Sequence, residues 1–138
     1  MINLFKKKTK VFLDTNFLLI PGECGVDIFS EIHRILNEPH EILILDKSME
    51  ELETLIERFG RKKEGFNAKL GYIMAKQKGL KIAHSSSGQY TDDELLEQVR
   101  KDPEGVIIAT EDKGLKKKVI SASGRIIELK QKSHLVLR

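Results

Sequence analysis

Four acidic residues stand at or just beyond the ends of apolar runs, where chemistry is common in proteins built from alternating strands and helices. Asp14 directly follows Val11 to Leu13, and Asp112 stands three residues past Ala109. Glu51 and Asp92 occupy the start of two segments with helical spacing. An acid embedded among apolar residues, as Asp14 is, is costly to bury unless it is paired or bound to a cation.

Bringing these acids into one pocket would place several negative charges within about 4 to 6 Å of one another, which raises their pKa values unless cations neutralise them. Oxygen-only ligands favour Mg²⁺ or Mn²⁺ over zinc. We therefore predict a divalent metal site with Asp14, Glu51, Asp92 and Asp112 as catalytic ligands. An ion held this way lowers the pKa of its water and stabilises charge on phosphoryl oxygens, so the expected chemistry is phosphodiester hydrolysis.

Each acid also has a purely structural explanation. Ser48 with Glu51, and Thr91 with Glu94, have the spacing of a capping box at a helix start. Thr110 is typical of an N-cap, and an acid in the first helical turn is favoured by the helix dipole. The metal-site prediction therefore depends on all four acids meeting at one edge of the sheet.

Two neighbouring aspartates compete for the third acidic position. Asp92 lies three and four residues before Leu95 and Leu96, which places it above the apolar stripe of its helix. Asp93 is about 100° further round the helix. We expect Asp92 to be the ligand and Asp93 to support it through water, with the choice between them left open.

Lysines follow the last acid at once and suit the phosphates of a nucleic acid. Lys113 and Lys116 to Lys118 are the best placed for phosphates flanking the reactive one, and we predict that Lys113, Lys116 and Lys117 bind them. The alternative is an ordinary solvated surface, because lysine is mostly exposed in any case.

The remaining pattern predicts the elements that hold these residues. Short apolar runs, typical of buried parallel strands, alternate with helical segments, and two further strands close the chain. The predicted strands are Val11–Leu13, Ile42–Leu45, Leu80–Ala83, Val106–Ala109, Arg125–Leu129 and Leu135–Leu137, and one predicted helix buries Phe66, Leu70, Ile73 and Met74. Strand followed by helix, repeated, indicates a three-layer α/β/α sandwich around a mostly parallel sheet, formed by a single domain over residues 1–138.

Composition excludes several classes of protein. The chain has 138 residues, of which 40% are hydrophobic and 33% charged, with a net charge of +3. One cysteine excludes an intrachain disulfide framework, and no apolar run reaches the roughly 20 residues that span a bilayer. Glycine-rich nucleotide-binding motifs are absent. We expect a protein of the cytoplasm with no membrane partner.

The motifs together resemble the PIN-domain ribonucleases. Val11-Phe12-Leu13-Asp14-Thr15-Asn16 is similar to the opening strand and first acid of that family, and Met49-Glu50-Glu51-Leu52 to its second acid. Asp92-Asp93-Glu94-Leu95-Leu96 is similar to its third, and Ile107 to Leu115 to its last. The pattern is most similar to archaeal PIN proteins that resemble the eukaryotic small-subunit rRNA-processing nucleases.

This resemblance implies a metal-dependent endoribonuclease in rRNA processing or RNA decay, with Asn16 and Thr110 orienting the carboxylates. It implies RNA as substrate, ribosomal precursor particles as partners, and a homodimer. Two alternatives stay open. The first is a toxin ribonuclease silenced by an antitoxin protein, since the family includes the VapC toxins. The second is a catalytically inactive RNA-binding or ribosome-assembly module.

Overall fold

Six strands in the described part of the chain form one sheet around which the molecule is built. The structure is a computed structural model that describes residues 7–86 and 90–138. The strands are β1 (Thr9–Leu13), β2 (His40–Leu45), β3 (Lys81–Ala83), β4 (Val106–Ala109), β5 (Arg125–Lys130) and β6 (His134–Leu137). Their order is β3-β2-β1-β4-β5-β6; β6 alone runs antiparallel, to β5. The predicted strands are all confirmed.

Helices cover both faces of this sheet. A 3₁₀ helix (Thr15–Leu19), α1 (Ile20–Cys24), α2 (Ile28–Ile35), α3 (Asp46–Phe59) and α4 (Lys63–Gln77) lie on one side, and α5 (Thr91–Lys101) and α6 (Lys113–Ser121) lie on the other. Side chains alternate across β1: Val11 and Leu13 join the core beneath the first set of helices, whereas Phe12 joins the core beneath α5 and α6. The predicted three-layer α/β/α sandwich is therefore confirmed.

The strand order places a branch point beside β1. The chain runs from β1 outward through β2 to β3, and then returns to continue through β4 on the other side of β1. In open parallel sheets, ligands bind outside the carboxyl ends of the strands at such a reversal. Here the reversal lies between the ends of β1 and β4, which are Leu13 and Ala109.

The buried face of α4 differs from the prediction. Its buried residues are small or polar, namely Gly65, Asn67, Ala68, Gly71 and Ala75. Phe66 and Ile73, which were expected in the core, are exposed. The cause is close packing on the 3₁₀ helix, because a Cβ atom on Gly71 would lie 2.1 Å from the carbonyl oxygen of Leu18. Small residues let the two backbones approach, and the larger apolar side chains turn outward.

Two further expectations were incomplete. Strand β3 is an exposed edge strand rather than one buried on both faces, and Ile82 is 46% exposed. The segment after Asp14 was not assigned to an element, but it forms the 3₁₀ helix and α1. Within residues 7–86 and 90–138, no helix is both long and apolar enough to cross a membrane.

Candidate active site

Asp14 is the most buried of the predicted acids and is held rigidly at the branch point. Its N–H donates to the carbonyl of Ala109 at 2.9 Å, which ties the ends of β1 and β4 together. Its Oδ1 accepts a hydrogen bond from the Thr15 N–H at 2.9 Å, and its Oδ2 accepts one from the Thr110 hydroxyl at 2.8 Å. The residue is only 7% exposed. Both carboxylate oxygens therefore have fixed directions.

Thr110 connects this acid to the last one. Its hydroxyl donates to Asp14 and accepts from the N–H of Asp112 at 3.0 Å. Asp112 in turn caps α6, with Oδ1 accepting from the Leu115 N–H at 2.9 Å. The expected N-cap at Thr110 was wrong, because α6 begins at Lys113 and Asp112 is its cap. Asp112 is also exposed, and only its Oδ1 is used by the cap.

A second threonine holds Glu51 in the same manner. Thr91, the first residue of α5, donates its hydroxyl to Glu51 Oε1 at 2.6 Å. The predicted capping boxes are both wrong: neither α3 nor α5 has a side-chain cap, and α3 starts at Asp46, two residues before Ser48. The Ser48 hydroxyl is fully buried and has no hydrogen-bond partner among the described residues. Glu51 is therefore free from helix capping and is linked to the helix that carries Asp92.

The charges of neighbouring acids act on Asp92. Partial burial raises the pKa of its carboxyl, and the charges of Asp112, Glu51 and Asp93 raise this pKa further, while Lys118 opposes them. For Asp14, burial is again the main cause of a raised pKa, and the charges of Asp92 and Glu51 add to it. The hydrogen bond from Thr110 is the largest influence that lowers the Asp14 pKa. Together Asp14, Glu51, Asp92 and Asp112 form what we call the acidic cluster.

The other predicted residues lie around this cluster. Asp93 lines a groove between α5 and α6. Asn16 is exposed in a different surface groove that Glu23, Glu64 and Glu111 also line, and its described contacts include no hydrogen bond to the acidic cluster. Its role in orienting carboxylates therefore remains a prediction, whereas Thr110 makes the contact that such a role requires.

The three predicted lysines differ in how available they are. Lys113 and Lys117 are exposed on α6. Lys116 has a side chain only 14% exposed, with its Nζ 3.4 Å from Glu111 Oε2 and 3.7 Å from Glu128 Oε1. Binding a phosphate would require Lys116 to leave these two carboxylates. Lys113 and Lys117 have no such obstacle.

The chemistry of the acidic cluster fits a hard divalent cation. Its donors are all carboxylate oxygens, the ligands that Mg²⁺ and Mn²⁺ prefer. The negative charges of the cluster also raise the pKa values of Asp14 and Asp92. In the conformation described for residues 7–86 and 90–138, no three His, Cys, Asp or Glu side chains form a group that could hold an ion. Shared coordination would therefore require these side chains to turn toward one another.

Sequence reasoning missed two residues next to the cluster. Thr91 was interpreted as a cap, although it fixes Glu51. Glu94 was given only a capping role, but it is 3% exposed, with Oε1 accepting from the Ser86 hydroxyl at 3.4 Å and Oε2 lacking a partner among the described residues. For a carboxylate at the fourth position of a helix, no sequence signal separates burial from capping.

Comparison with known proteins assigns the family. A family model described as "PIN like domain" matches residues 11–132. The chain belongs to the PIN-domain family. Among curated relatives of this PIN domain is Ribonuclease VapC4 of Methanocaldococcus jannaschii, which is 34% identical over 128 residues, or 91% of this chain and 93% of that protein. The resemblance inferred from the four acidic motifs is confirmed.

Solved structures agree with the fold of this PIN domain. The PIN domain endonuclease Utp24 superposes with a TM-score of 0.76 at 23% identity, over 94% of this chain and 90% of that chain. A domain of a functionally unknown protein from Methanocaldococcus jannaschii has a TM-score of 0.53 at 18% identity, over 88% of this chain and 91% of that one. At these identities the similarity concerns the fold.

Proposed function

We propose that this PIN domain is a metal-dependent endoribonuclease that hydrolyses RNA phosphodiester bonds. The observation that carries the proposal is the position of Asp14 at the reversal of strand order, where the charges of Asp92 and Glu51 act on it. Asp112 acts in turn on Asp92. The family match and the relation to a ribonuclease support it. The proposed ion is Mg²⁺ or Mn²⁺, held by these four carboxylates.

When bound, such an ion lowers the pKa of a water and neutralises charge on the phosphoryl oxygens. The side chains of the protein supply the geometry for this chemistry. Thr110 fixes one oxygen of Asp14, and Thr91 fixes one oxygen of Glu51, so these two carboxylates are anchored points toward which Asp92 and Asp112 would turn to share an ion. Lys113 and Lys117 lie on the adjacent helix, where they can contact neighbouring phosphates.

Cleavage of total cellular RNA tests the proposal directly. Purified protein is incubated with RNA and Mn²⁺, or with RNA and a chelator, and cut sites are determined by sequencing. We expect cleavage that requires the ion and is lost in Asp14→Asn. The matched control is Asp27→Asn at the N-cap of α2, because asparagine caps a helix about as well as aspartate and the same charge is removed.

Robust cleavage by Asp14→Asn would contradict the proposed site. If the wild type neither cleaves RNA nor shows saturable Mn²⁺ binding, the inactive RNA-binding module becomes the correct interpretation. The thermal stability of the wild type and of Asp14→Asn, measured in parallel, separates both outcomes from simple misfolding.

A toxin ribonuclease is the second candidate, and the similarity to Ribonuclease VapC4 over most of both chains favours it. This candidate predicts an antitoxin partner encoded beside the gene. We expect expression of the wild type to arrest growth, Asp14→Asn to be harmless, and co-expression of the neighbouring gene to restore growth. Growth unaffected by the wild type would favour a role in rRNA processing on ribosomal precursor particles in the cytoplasm. Light scattering of the purified protein tests the proposed homodimer.

A further inference from the structure

A basic groove runs between α5 and α6, and one of its lining residues, Asp93, directly follows Asp92 of the acidic cluster in the chain. It has a volume of about 520 Å³, and it is lined by Asp93, Leu96, Arg100, Lys117, Lys118, Ser121 and Ala122. Both helices begin at the carboxyl edge of the sheet, since α5 leads into β4 and α6 leads into β5. The groove therefore descends from the acidic cluster along the outer surface of this helical layer.

We propose that this groove binds the sugar–phosphate backbone of the RNA strand that leaves the cleavage site. The inference rests on the proposed ribonuclease function and names residues that hold its substrate. Arg100, Lys117 and Lys118 would bind the phosphates, and of these Arg100 was not expected from the sequence. Arg100 lies on the helix of the third acid, and its part in phosphate binding is visible only when α5 is packed against α6.

The cations of the groove are available for a ligand. Arg100, Lys117 and Lys118 are all exposed. None of the ion pairs found within the described residues involves them, in contrast to Lys116, which contacts Glu111 and Glu128 on the other side of α6. The single acid that lines the groove is Asp93, at its upper end. Three positive charges against one negative charge favour a polyanion.

The groove is connected to the acidic cluster through α5. Asp93 lines the groove and directly follows Asp92 in the first turn of that helix. Asp93 and Arg100 are seven residues apart on one helix, roughly 10 Å at 1.5 Å per residue. That length matches about three stacked nucleotides at roughly 3.4 Å each. A strand cut at the cluster would therefore reach all three cations.

The floor of the groove also suits a nucleic acid backbone. Leu96 and Ala122 supply apolar surface between the charged rims, and Ser121 adds a hydroxyl donor. No aromatic side chain of residues 7–86 and 90–138 lines the groove, so we expect recognition there to depend little on base stacking and to be independent of sequence. An acidic segment of a protein is the other ligand that three cations could attract, and the experiment separates the two.

The experiment measures RNA binding without cleavage. A fluorescent single-stranded RNA is titrated in chelator with wild type and with the groove variant, which carries Arg100→Gln, Lys117→Gln and Lys118→Gln. We expect the groove variant to bind at least about tenfold more weakly. The slope of log K against the logarithm of the salt concentration should become shallower by about 2. Each phosphate that a cation neutralises on a single strand contributes roughly 0.7 to that slope, and the groove variant lacks three cations.

The matched control variant carries three substitutions of equal charge on the opposite helical layer, Lys63→Gln, Lys69→Gln and Lys78→Gln, all at exposed positions. We expect it to keep the affinity and the salt slope of the wild type. Equal RNA binding by the groove and control variants would overturn the proposal. So would a groove variant that keeps RNA binding and loses binding to polyglutamate, because the groove would then be a site for an acidic protein. Circular dichroism confirms that both variants are folded.

Failure of this inference is distinguishable from failure of the proposed function. A wild type that binds RNA through the groove but does not cleave it with Mn²⁺ would refute the nuclease and leave the groove as an RNA site. A wild type that cleaves RNA, while the groove variant binds and cleaves equally well, would refute the groove and leave the nuclease intact.

Discussion

Replacing Thr110 by valine tests whether a buried hydroxyl organises the acidic cluster. Thr110 is fully buried, and its hydroxyl contacts Asp14 at 2.8 Å and the Asp112 N–H at 3.0 Å. Valine has almost the same shape but lacks the hydroxyl, so both hydrogen bonds are lost without opening a large cavity. The substitution therefore isolates the polar contribution of this position.

The expected cost follows from the two contacts. A hydrogen bond to a charged acceptor contributes about 1.5 to 3 kcal/mol and a neutral one about 0.5 to 1.5 kcal/mol, while the added methyl group recovers part of this loss. We expect Thr110→Val to lose about 2 to 3 kcal/mol at pH 7. At roughly 3 °C per kcal/mol for a domain of this size, the melting temperature should fall by about 6 to 9 °C.

The loss should also depend on pH. The Thr110 hydrogen bond lowers the pKa of Asp14, so the variant has a still higher Asp14 pKa than the wild type. The loss of stability caused by Thr110→Val is fully present when Asp14 is ionised in both the wild type and the variant. It shrinks as the pH falls through the Asp14 pKa of the variant, because a protonated carboxyl needs the hydrogen bond less.

Urea unfolding in chelator at pH 7 and pH 5, together with carboxyl titration by ¹³C NMR, measures both effects. Thr110→Ser keeps the hydroxyl and should keep the Asp14 titration close to that of the wild type. Thr54→Val is the control for the same exchange at an exposed helix position, with an expected change within about 0.5 kcal/mol. Equal stability of Thr110→Val and Thr54→Val, with an unshifted Asp14 titration, would refute the reasoning.

Three further predictions follow from other contacts. Gly71→Ala should destabilise the fold by about 1 to 3 kcal/mol in urea unfolding, because its Cβ would meet the Leu18 carbonyl, whereas Lys69→Ala on the same helix should be nearly neutral. Arg34 lowers the pKa of Glu31 to about 2. The free energy of unfolding of the wild type should therefore exceed that of Glu31→Gln by roughly 1 kcal/mol above pH 4.5, and this difference should disappear as the pH falls toward 2. A difference that stays constant with pH would contradict this. Burial raises the Asp14 pKa, so ionising this carboxyl in the folded protein costs stability, and this cost appears as the pH rises through the raised pKa. In chelator at pH 7, Asp14→Asn should therefore be about 1 kcal/mol more stable than the wild type. Equal or lower stability of the variant would contradict this.

The sequence predicted the sheet well because apolar runs in parallel strands are a strong local signal. Runs such as Val106–Ala109 are buried on both faces and match the observed strands. The position of Asp14 followed from the rule that ligands collect beyond the carboxyl ends of strands, and the observed strand order meets that rule.

Contacts between distant elements could not be predicted in the same way. Periodicity placed Phe66 in the core, but close backbone packing at Gly71 turned it outward. Capping patterns gave Thr91 a local role, whereas its hydroxyl reaches Glu51, forty residues earlier in the chain. Local sequence carries no information on such pairs, since they depend on how helices pack.

The central claim is that the acidic cluster forms a metal site. Calorimetric titration with Mn²⁺ tests it most directly, because it measures whether the cluster binds the ion. We predict saturable binding by the wild type and by Asp27→Asn, loss of that binding in Asp14→Asn, and a greater weakening in Asp92→Asn than in Asp93→Asn. The same Mn²⁺ affinity in all of these proteins, or no binding in the wild type, would contradict a metal site formed by Asp14, Glu51, Asp92 and Asp112.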